Sequence, residues 1–227
     1  MAAYDDLMAF QRETEALSQV AGRLGWDQET MMPRDAAPQR GEEMAAMETV
    51  LHARRTDPRI ADWLAQAETS GEVEVAQVRQ IKRSYDRASK VPAKLASQIA
   101  RVTSEAQGAW AAAREADDFA AFAPVLKDVV SLKREEGAAL SAGGDVYDAM
   151  LDDYEPGATA AELSAMFDAL RPRLVNLRAA VLDAKAPPAL QGKFDEGAQM
   201  KLSRQIAKTF GYDMAKGRVD KAVHPFS

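Results

Sequence analysis

Carboxylates and phenols cluster within thirteen residues of this sequence, in a segment that reads DVYDAMLDDYEPG and is called the acidic segment below, Asp145–Gly157. Its side chains with acid–base chemistry are Asp145, Tyr147, Asp148, Asp152, Asp153, Tyr154 and Glu155. Pro156 disfavours a helical conformation at the residue before it, and Gly157 permits a positive φ, so a turn is predicted here. Acids and phenols at a break between helices suit the wall of a polar groove. The alternative is a short helix followed by a solvated acidic turn.

Metal chemistry is restricted because the sequence has two histidines, His52 and His224, and no cysteine. A catalytic zinc commonly takes three protein ligands, and the helical HExxH signature does not occur in these residues. Glu48 and His52 are four residues apart and could meet on one helix face. The di-iron pattern of helical bundles instead needs Glu-x-x-His from two helices. We therefore predict that His52 is a surface or helix-edge residue, and we assign no metal ligand.

No complete catalytic set can be assembled from the residues alone. The sequence has no GxSxG nucleophile elbow, no phosphate-binding P-loop and no dinucleotide fingerprint. Its adjacent acid pairs, such as Glu42–Glu43 and Glu135–Glu136, are of the kind usually found on solvated helix faces. We therefore assign no catalytic residue.

Composition indicates a folded protein that fits one domain or a large part of one, with 227 residues of which 47% are hydrophobic and 28% charged. Acids outnumber bases 35 to 29, which argues against nonspecific binding to nucleic acid or to an anionic membrane. No apolar run approaches the roughly 18 residues that cross a bilayer. The N-terminal residues MAAYDDLM are acidic, unlike a secretory signal. We expect a cytoplasmic protein.

Apolar residues recur every three or four positions through most of the chain, which predicts an all-α fold. Short connections favour long, mostly antiparallel helices, which we expect to form one wall of a groove. Helix starts are predicted at Asp57, Asp118 and Asp195, and a helix end at Gly211. Methionine and aromatic stripes at this spacing, including the one in the helix that carries Leu163–Val181, are predicted to pack in the core.

The periodicity weakens after Gly211, and Val219–Phe226 is predicted to be a short extended segment, with a strand as one reading. We treat residues 1–227 as a single helical region. Its sub-parts are the N-terminal helices 1–144, the acidic segment 145–157, and the helices and extended tail 158–227.

Several motifs, in this order along the chain, resemble the carboxypeptidase Taq family of metallocarboxypeptidases. They are GWDQETMMP (Gly25–Pro33), SEAQGAW (Ser104–Trp110), YDAMLDDYEPG (Tyr147–Gly157) and FGYDMAKGRVDKAVHPFS (Phe210–Ser227). The resemblance implies a largely helical peptidase with a deep groove that removes residues from peptide C-termini with broad preference. It also implies zinc, or cobalt in some members, held by HExxH and a later glutamate, and a homodimer. For Trp26 and Asp27 in the first motif we predict structural roles.

The family's HPF motif matches His224, Pro225 and Phe226, to which the resemblance assigns contact with substrate in the groove. The family's HExxH should follow this motif, so we expect these residues to be the N-terminal part of a larger metallopeptidase domain and inactive alone. We also expect the cations that offset the acidic segment to lie outside these 227 residues. The alternative is a freestanding helical binding or scaffold protein derived from the same family.

Overall fold

A computed structural model describes residues 2–223 of the chain, and within them it contains helices and no β-strand. The predicted all-α fold is confirmed. No helix in this part of the chain is long and apolar enough to cross a membrane. In chain order the helices are α1 (Ala2–Thr30), a 3-10 helix (Arg34–Ala36), α2 (Ala37–Arg55), α3 (Pro58–Gln66), α4 (Glu72–Lys90), α5 (Ala93–Ala116), α6 (Phe119–Ser141), α7 (Val146–Leu151), α8 (Ala160–Asp183) and α9 (Glu196–Thr209).

Short polar side chains begin several of these helices, because the first backbone N–H groups of a helix have no partner within it. Asp57 accepts a hydrogen bond from the N–H of Arg59 at 2.9 Å. Asp118 and Asp195 each accept one from the N–H three residues later, at 3.1 and 2.8 Å. The predicted cap residues are therefore confirmed. Gly211 follows the end of α9 with φ +91°, the left-handed conformation expected of a helix terminator.

The chain divides into two compact units, Met1–Ala160 and Ala161–Ser227. In the first unit α2 packs against α1, α4 and α5, while α6 packs against α4, α5 and α7. Leu7 and Phe10 of α1 and Ile60 of α3 form a buried cluster that Trp63, Leu64, Ile81 and Tyr85 extend. The rings of Phe10 and Trp63 lie 5.4 Å apart, and the Arg54 guanidinium lies 4.0 Å from the Phe10 ring centroid.

The second unit differs, because none of its described residues is buried. The stripe of large apolar side chains along α8 was predicted to pack in the core, and that prediction is wrong for the described structure. Periodicity identifies a face that favours burial but does not supply the surface that buries it. The assignment of residues 1–227 to a single region with three sub-parts stays a prediction.

One helix boundary also differs from the periodicity, and the prediction for the tail is tested in part. Helix α1 continues past Leu24 and through Gly25 to Thr30, because the polar end of the helix is held by contacts to other helices, described below. In the tail, residues 217–222 form neither helix nor strand, and the rest of the predicted Val219–Phe226 segment lies partly outside the described residues.

The buried cluster in the first unit generates a stability prediction. Leu7 has no solvent-exposed surface, so Leu7→Ala removes buried methyl groups and leaves a cavity. We expect a loss of about 2–5 kcal/mol in the free energy of unfolding, measured by urea denaturation. The matched control is Val73→Ala at a position 70% exposed on α4, where a change within about 0.5 kcal/mol is expected. Equal losses in the two variants would contradict the assigned core.

Candidate functional site

The first acids of the acidic segment act as helix caps. Asp145 accepts a hydrogen bond from the N–H of Asp148 at 2.9 Å and so begins α7. The Asp148 carboxylate in turn accepts one from the N–H of Ala160 at 2.7 Å, at the first residue of α8. A carboxylate at these positions satisfies an unpartnered donor and interacts favourably with the helix dipole. These two acids therefore set the start of two successive helices.

Asp152 closes the turn between those helices. One oxygen of its carboxylate accepts a hydrogen bond from the N–H of Gly157 at 2.9 Å, where φ is +86°. The other oxygen lies 2.6 Å from Nη2 of Arg83, which also donates to the carbonyl of Asp152. The hydrogen bond from Gly157 lowers the pKa of Asp152, burial opposes that shift, and Arg83 and Arg87 reinforce it. The net effect is a lowered pKa, so the carboxylate stays ionised.

Arg83 and Arg87 are four residues apart on α4, so their guanidinium groups lie on one helix face. Nε of Arg87 lies 2.6 Å from the Asp153 carboxylate, and its Nη1 donates to the carbonyl of Ala149 at 3.0 Å. The expectation that the offsetting cations lie outside the 227 residues is therefore wrong for Asp152 and Asp153. The sequence did not reveal this pairing because the partners are more than sixty positions apart, although the two arginines at helical spacing were a usable signal.

A charged cleft of about 320 Å³ lies beside this ion-pair cluster. It is lined by Glu48, His52, Arg55, Arg83, Ser84, Arg87, Ala88, Val91, Ala96, Glu136, Leu140 and Asp153. Its arginines and carboxylates are equal in number, which gives a polar surface with little net charge. The two tyrosines of the acidic segment are exposed, Tyr154 to 85%.

Glu48 and His52 line this cleft but do not bind each other. Glu48 accepts hydrogen bonds from Arg55 at 3.3 Å through both carboxylate oxygens. Nε2 of His52 lies 2.7 Å from the carbonyl of Val91, so that nitrogen must carry a proton. His52 is half-buried and joins α2 to the end of α4. Within the described residues no group of three or more histidine, aspartate or glutamate side chains could hold a metal ion.

A second polar cluster, here called the Arg40 cluster, joins the end of α1 to α2. Arg40 is only 10% exposed, and its guanidinium contacts Asp27 at 2.6 Å, Glu43 at 2.9 Å and the carbonyl of Leu24. Burial would lower the pKa of Arg40, but the hydrogen bonds to Asp27 and Glu43 outweigh burial and raise it. The guanidinium is therefore firmly charged.

The same end of α1 contacts α5 directly. The Gln28 side chain donates to the carbonyl of Ser104 at 3.1 Å and accepts from the Ser104 hydroxyl at 2.6 Å. Gln107 donates to the Glu29 carboxylate at 2.6 Å. The GWDQETMMP and SEAQGAW motifs thus contact each other through side chains. The geometry at Asp27 supports the structural role predicted for that residue.

The predicted substrate-contact residues His224, Pro225 and Phe226 lie outside the described residues, and the assignment stays a prediction. The chain that precedes them is ordered by local contacts. The Asp213 carboxylate accepts from the N–H of Ala215 at 2.9 Å, and the Tyr212 hydroxyl donates to the carbonyl of Arg218 at 3.4 Å. A Cβ at Gly217 would lie 1.9 Å from that hydroxyl oxygen, so only glycine fits this turn as it stands.

A family model described as carboxypeptidase Taq (M32) metallopeptidase matches residues 6–227. Thermostable carboxypeptidase 1 of Thermus thermophilus is 37% identical, and the match covers 99% of this chain and 48% of the relative. The protein of the same description from Pyrococcus furiosus is 28% identical, over 97% of this chain and 46% of its own length. The chain therefore spans about half the length of the curated relatives it matches.

Solved structures superpose on the whole chain. The M32 carboxypeptidase of Deinococcus radiodurans gives a TM-score of 0.76 at 27% identity and is covered over 46% of its length. A structure described as BsuCP gives 0.90 at 24% identity and is covered over 47%. At 24% identity, the similarity to the BsuCP structure supports the fold alone.

The lowered pKa of Asp152 predicts the pH dependence of stability. A carboxylate whose pKa is lower in the folded than in the unfolded protein stabilises the fold. This stabilisation is complete above the pKa in the unfolded protein, about 3.9, and is lost as the pH falls through the pKa in the folded protein. We expect Asp152→Asn to cost about 1–3 kcal/mol at pH 7, and the difference from the parent to shrink below about pH 4. Urea denaturation across pH measures both. Asp62→Asn, at an exposed position on α3, is the control; a pH-independent cost at Asp152 would contradict the ion-pair role.

The Arg40 cluster predicts strong coupling between Asp27 and Arg40. In a double-mutant cycle with alanine at each position, we expect a coupling free energy of roughly 1–3 kcal/mol, because Arg40 is buried and loses one of its two charge partners. The control cycle uses Glu42 and Arg101, an exposed pair 3.0 Å apart that joins α2 to α5. Exposed pairs give about 0–1 kcal/mol. Additive losses at Asp27 and Arg40 would argue against the cluster.

Proposed function

Because the chain belongs to the carboxypeptidase Taq family of metallopeptidases, we propose that it is the N-terminal helical part of a metal-dependent carboxypeptidase. The proposed enzyme hydrolyses the C-terminal residues of peptides with broad specificity. The observation that carries this proposal is the family match over residues 6–227, together with the superposition of family structures on the whole chain. The proposal concerns the whole enzyme, since this chain spans about half the length of its relatives.

The residues of this chain that the structure describes, 2–223, do not fit a catalytic metal centre. Among the described residues no suitable ligand group occurs, and the His52 ring is hydrogen bonded to a backbone carbonyl. We propose that the residues that bind zinc or cobalt lie in another part of the enzyme. That part corresponds to the half of the relatives that this chain does not match. We therefore derive no catalytic step from this chain, and its residues have positioning and substrate-contact roles.

Substrate contact is proposed for His224, Pro225 and Phe226. Support comes from the ordered segment that leads to them. Gly211 ends α9, the Asp213 turn reverses the chain, and Arg204 of α9 donates to the carbonyl of Val219 at 3.5 Å. These contacts fix the backbone a few residues before the motif. A fixed approach would present the motif to a peptide in a defined position.

The acidic segment is proposed to shape the groove rather than repel substrate. Asp152 and Asp153 are paired with arginines, and Asp145 and Asp148 accept backbone hydrogen bonds. A peptide carboxylate that approaches Asp152 and Asp153 would meet ion pairs instead of free carboxylates. We also propose that the whole enzyme is a homodimer located in the cytoplasm. The homodimer assignment rests on the family resemblance, and the location stays an expectation from the sequence.

The test compares the 227-residue chain with the full-length gene product. Each is incubated with zinc or cobalt and a peptide, and released C-terminal amino acids are measured. We expect no release by the 227-residue chain and metal-dependent release by the full-length product, abolished by a chelator. The Thermus thermophilus relative serves as the positive control. If the 227-residue chain alone released amino acids in a metal-dependent reaction, the proposed location of the metal ligands outside this chain would be contradicted. If the full-length product were folded and metal-loaded but inactive, the proposed function itself would be contradicted.

A further inference from the structure

All the residues that line the charged cleft belong to the first unit. Its walls come mainly from α2, α4 and α6, with one residue each from α5 and from the acidic segment. Helix α4 packs against both α2 and α6, and α5 packs against the same two helices. The cleft volume of about 320 Å³ lies at the lower end of the range for small-molecule sites, about 300–1,000 Å³. The cleft therefore suits a ligand of low molecular mass.

The arginines at the cleft keep hydrogen-bond donors that their ion pairs do not use. Among the described residues, Arg83 binds its partners through Nη2 alone, and Nη2 of Arg87 is buried without a partner. Arg55 reaches both oxygens of Glu48 at 3.3 Å and the Ser18 hydroxyl at 3.5 Å. These distances exceed the usual length of an N–H···O hydrogen bond, about 2.7–3.2 Å, so Arg55 is weakly held. A guanidinium with unused donors can bind a carboxylate through two parallel hydrogen bonds.

Hydrogen-bond acceptors occupy other polar positions of the cleft. The Glu136 side chain is 18% exposed, and its carboxylate accepts one hydrogen bond from Lys133 at 2.6 Å. An ionised carboxylate can accept several hydrogen bonds, so Glu136 and Glu48 keep unused capacity. Nε2 of His52 donates to the carbonyl of Val91, which leaves Nδ1 of the neutral ring as an acceptor. An ammonium group, which has three donors and no acceptor, matches this set.

Four of the lining residues are apolar and have small or medium side chains. Ala88 and Val91 lie at the end of α4, Ala96 lies near the start of α5, and Leu140 lies near the end of α6. Burial of a short aliphatic group against such side chains is favourable, because it removes apolar surface from water. The cleft thus combines cations, carboxylates and apolar side chains within one small volume.

We propose that the charged cleft binds a free α-amino acid with a short aliphatic side chain, in its zwitterionic form. The carboxylate of the ligand binds the arginine donors, its ammonium group binds Glu48 and Glu136, and its side chain lies against the apolar residues. A ligand with a single charge is less suitable, because arginines and carboxylates line the cleft in equal number and oppose each other's attraction. A zwitterion satisfies both sets and carries no net charge.

The same class of molecule is the product of the proposed reaction. Binding in the cleft would let the N-terminal part of the enzyme respond to amino acids that the enzyme has released. That role rests on the proposed function, whereas the binding itself depends only on the described helices.

Isothermal titration of the 227-residue chain with L-valine and two analogues tests the class of ligand. Isovalerate keeps the aliphatic group and the carboxylate but lacks the ammonium group, and isobutylamine keeps the aliphatic group and the ammonium group but lacks the carboxylate. We expect saturable one-to-one binding of L-valine. Each analogue should bind at least roughly 10-fold more weakly, because it leaves one set of charged groups without a partner.

Two results of this titration would overturn the proposal: no binding of L-valine, or equal binding of all three ligands. Circular dichroism checks that the 227-residue chain is helical under the conditions of the titration. If it is not, the same titration is made with the full-length gene product after a chelator has removed its metal, and the same two results decide.

Two substitutions test the roles of the charged groups. Arg55→Gln should weaken the binding of L-valine roughly 10-fold and bring it close to that of isobutylamine, because the ligand carboxylate loses its partner. Glu136→Gln should instead bring the binding of L-valine close to that of isovalerate. The matched control is Arg34→Gln, which removes an exposed ion pair with Glu115 and should leave all three affinities unchanged.

A structural effect of these substitutions would have a different signature. A uniform loss of affinity for all three ligands in Arg55→Gln or Glu136→Gln would contradict the assigned contacts. Arg55→Lys, which keeps the positive charge, should retain the preference for L-valine over isobutylamine, and loss of that preference would also contradict the assignment.

Peptidase activity of the full-length gene product separates this proposal from the proposed function. Binding of L-valine that depends on Arg55 and Glu136, without metal-dependent release of amino acids from peptides, supports the site and contradicts the assigned activity. Metal-dependent release by the full-length product, with no binding of L-valine by the folded 227-residue chain, supports the activity and contradicts the site.

Discussion

The ionised carboxylate of Asp152 is the constraint on which the arrangement around the acidic segment depends. One oxygen closes the turn at Gly157, and the other binds Arg83 of α4. The same side chain therefore decides where the chain turns and which helix the turn lies against. If Asp152 were neutral, the backbone donor would keep an acceptor, but Arg83 would lose its charge partner in a partly buried position. The Asp152 carboxylate therefore couples the geometry of the turn at Gly157 to the contact of the turn with α4.

Polar pairing performs a similar function at the other end of the first unit. Asp27 and Arg40 join α1 to α2, and Gln28 with Ser104 joins α1 to α5. Buried polar groups contribute less net stability than apolar contacts, but they are costly when mismatched. They therefore specify one register between helices whose small apolar side chains would tolerate several. The contacts of Asp27, Gln28 and Ser104 agree with structural roles for these residues in the two motifs.

The part of the fold that could be predicted from sequence is the part determined locally. Asp57, Asp118 and Asp195 cap helices through N–H groups two or three residues away, so residue type and spacing were sufficient. Arg83, the charge partner of Asp152, and Asp27, one of the two charge partners of Arg40, lie on other helices, and no local pattern specifies these pairs. The same limit explains why the acidic segment was predicted to lack its cations. The composition gives the number of charged side chains, but which of them form ion pairs depends on how the helices pack.

Comparison of α1 with α8 shows what apolar periodicity does and does not establish. Both helices repeat apolar residues at intervals of three and four, yet α1 contributes Leu7 and Phe10 to a buried cluster, and α8 has no buried residue. The first unit therefore contains a surface that buries this part of the apolar face of α1. Helix α8 has the pattern without the complementary surface. Because an apolar face gains free energy only when water is excluded from it, the pattern on α8 marks a face that burial would stabilise, and the described structure does not bury it.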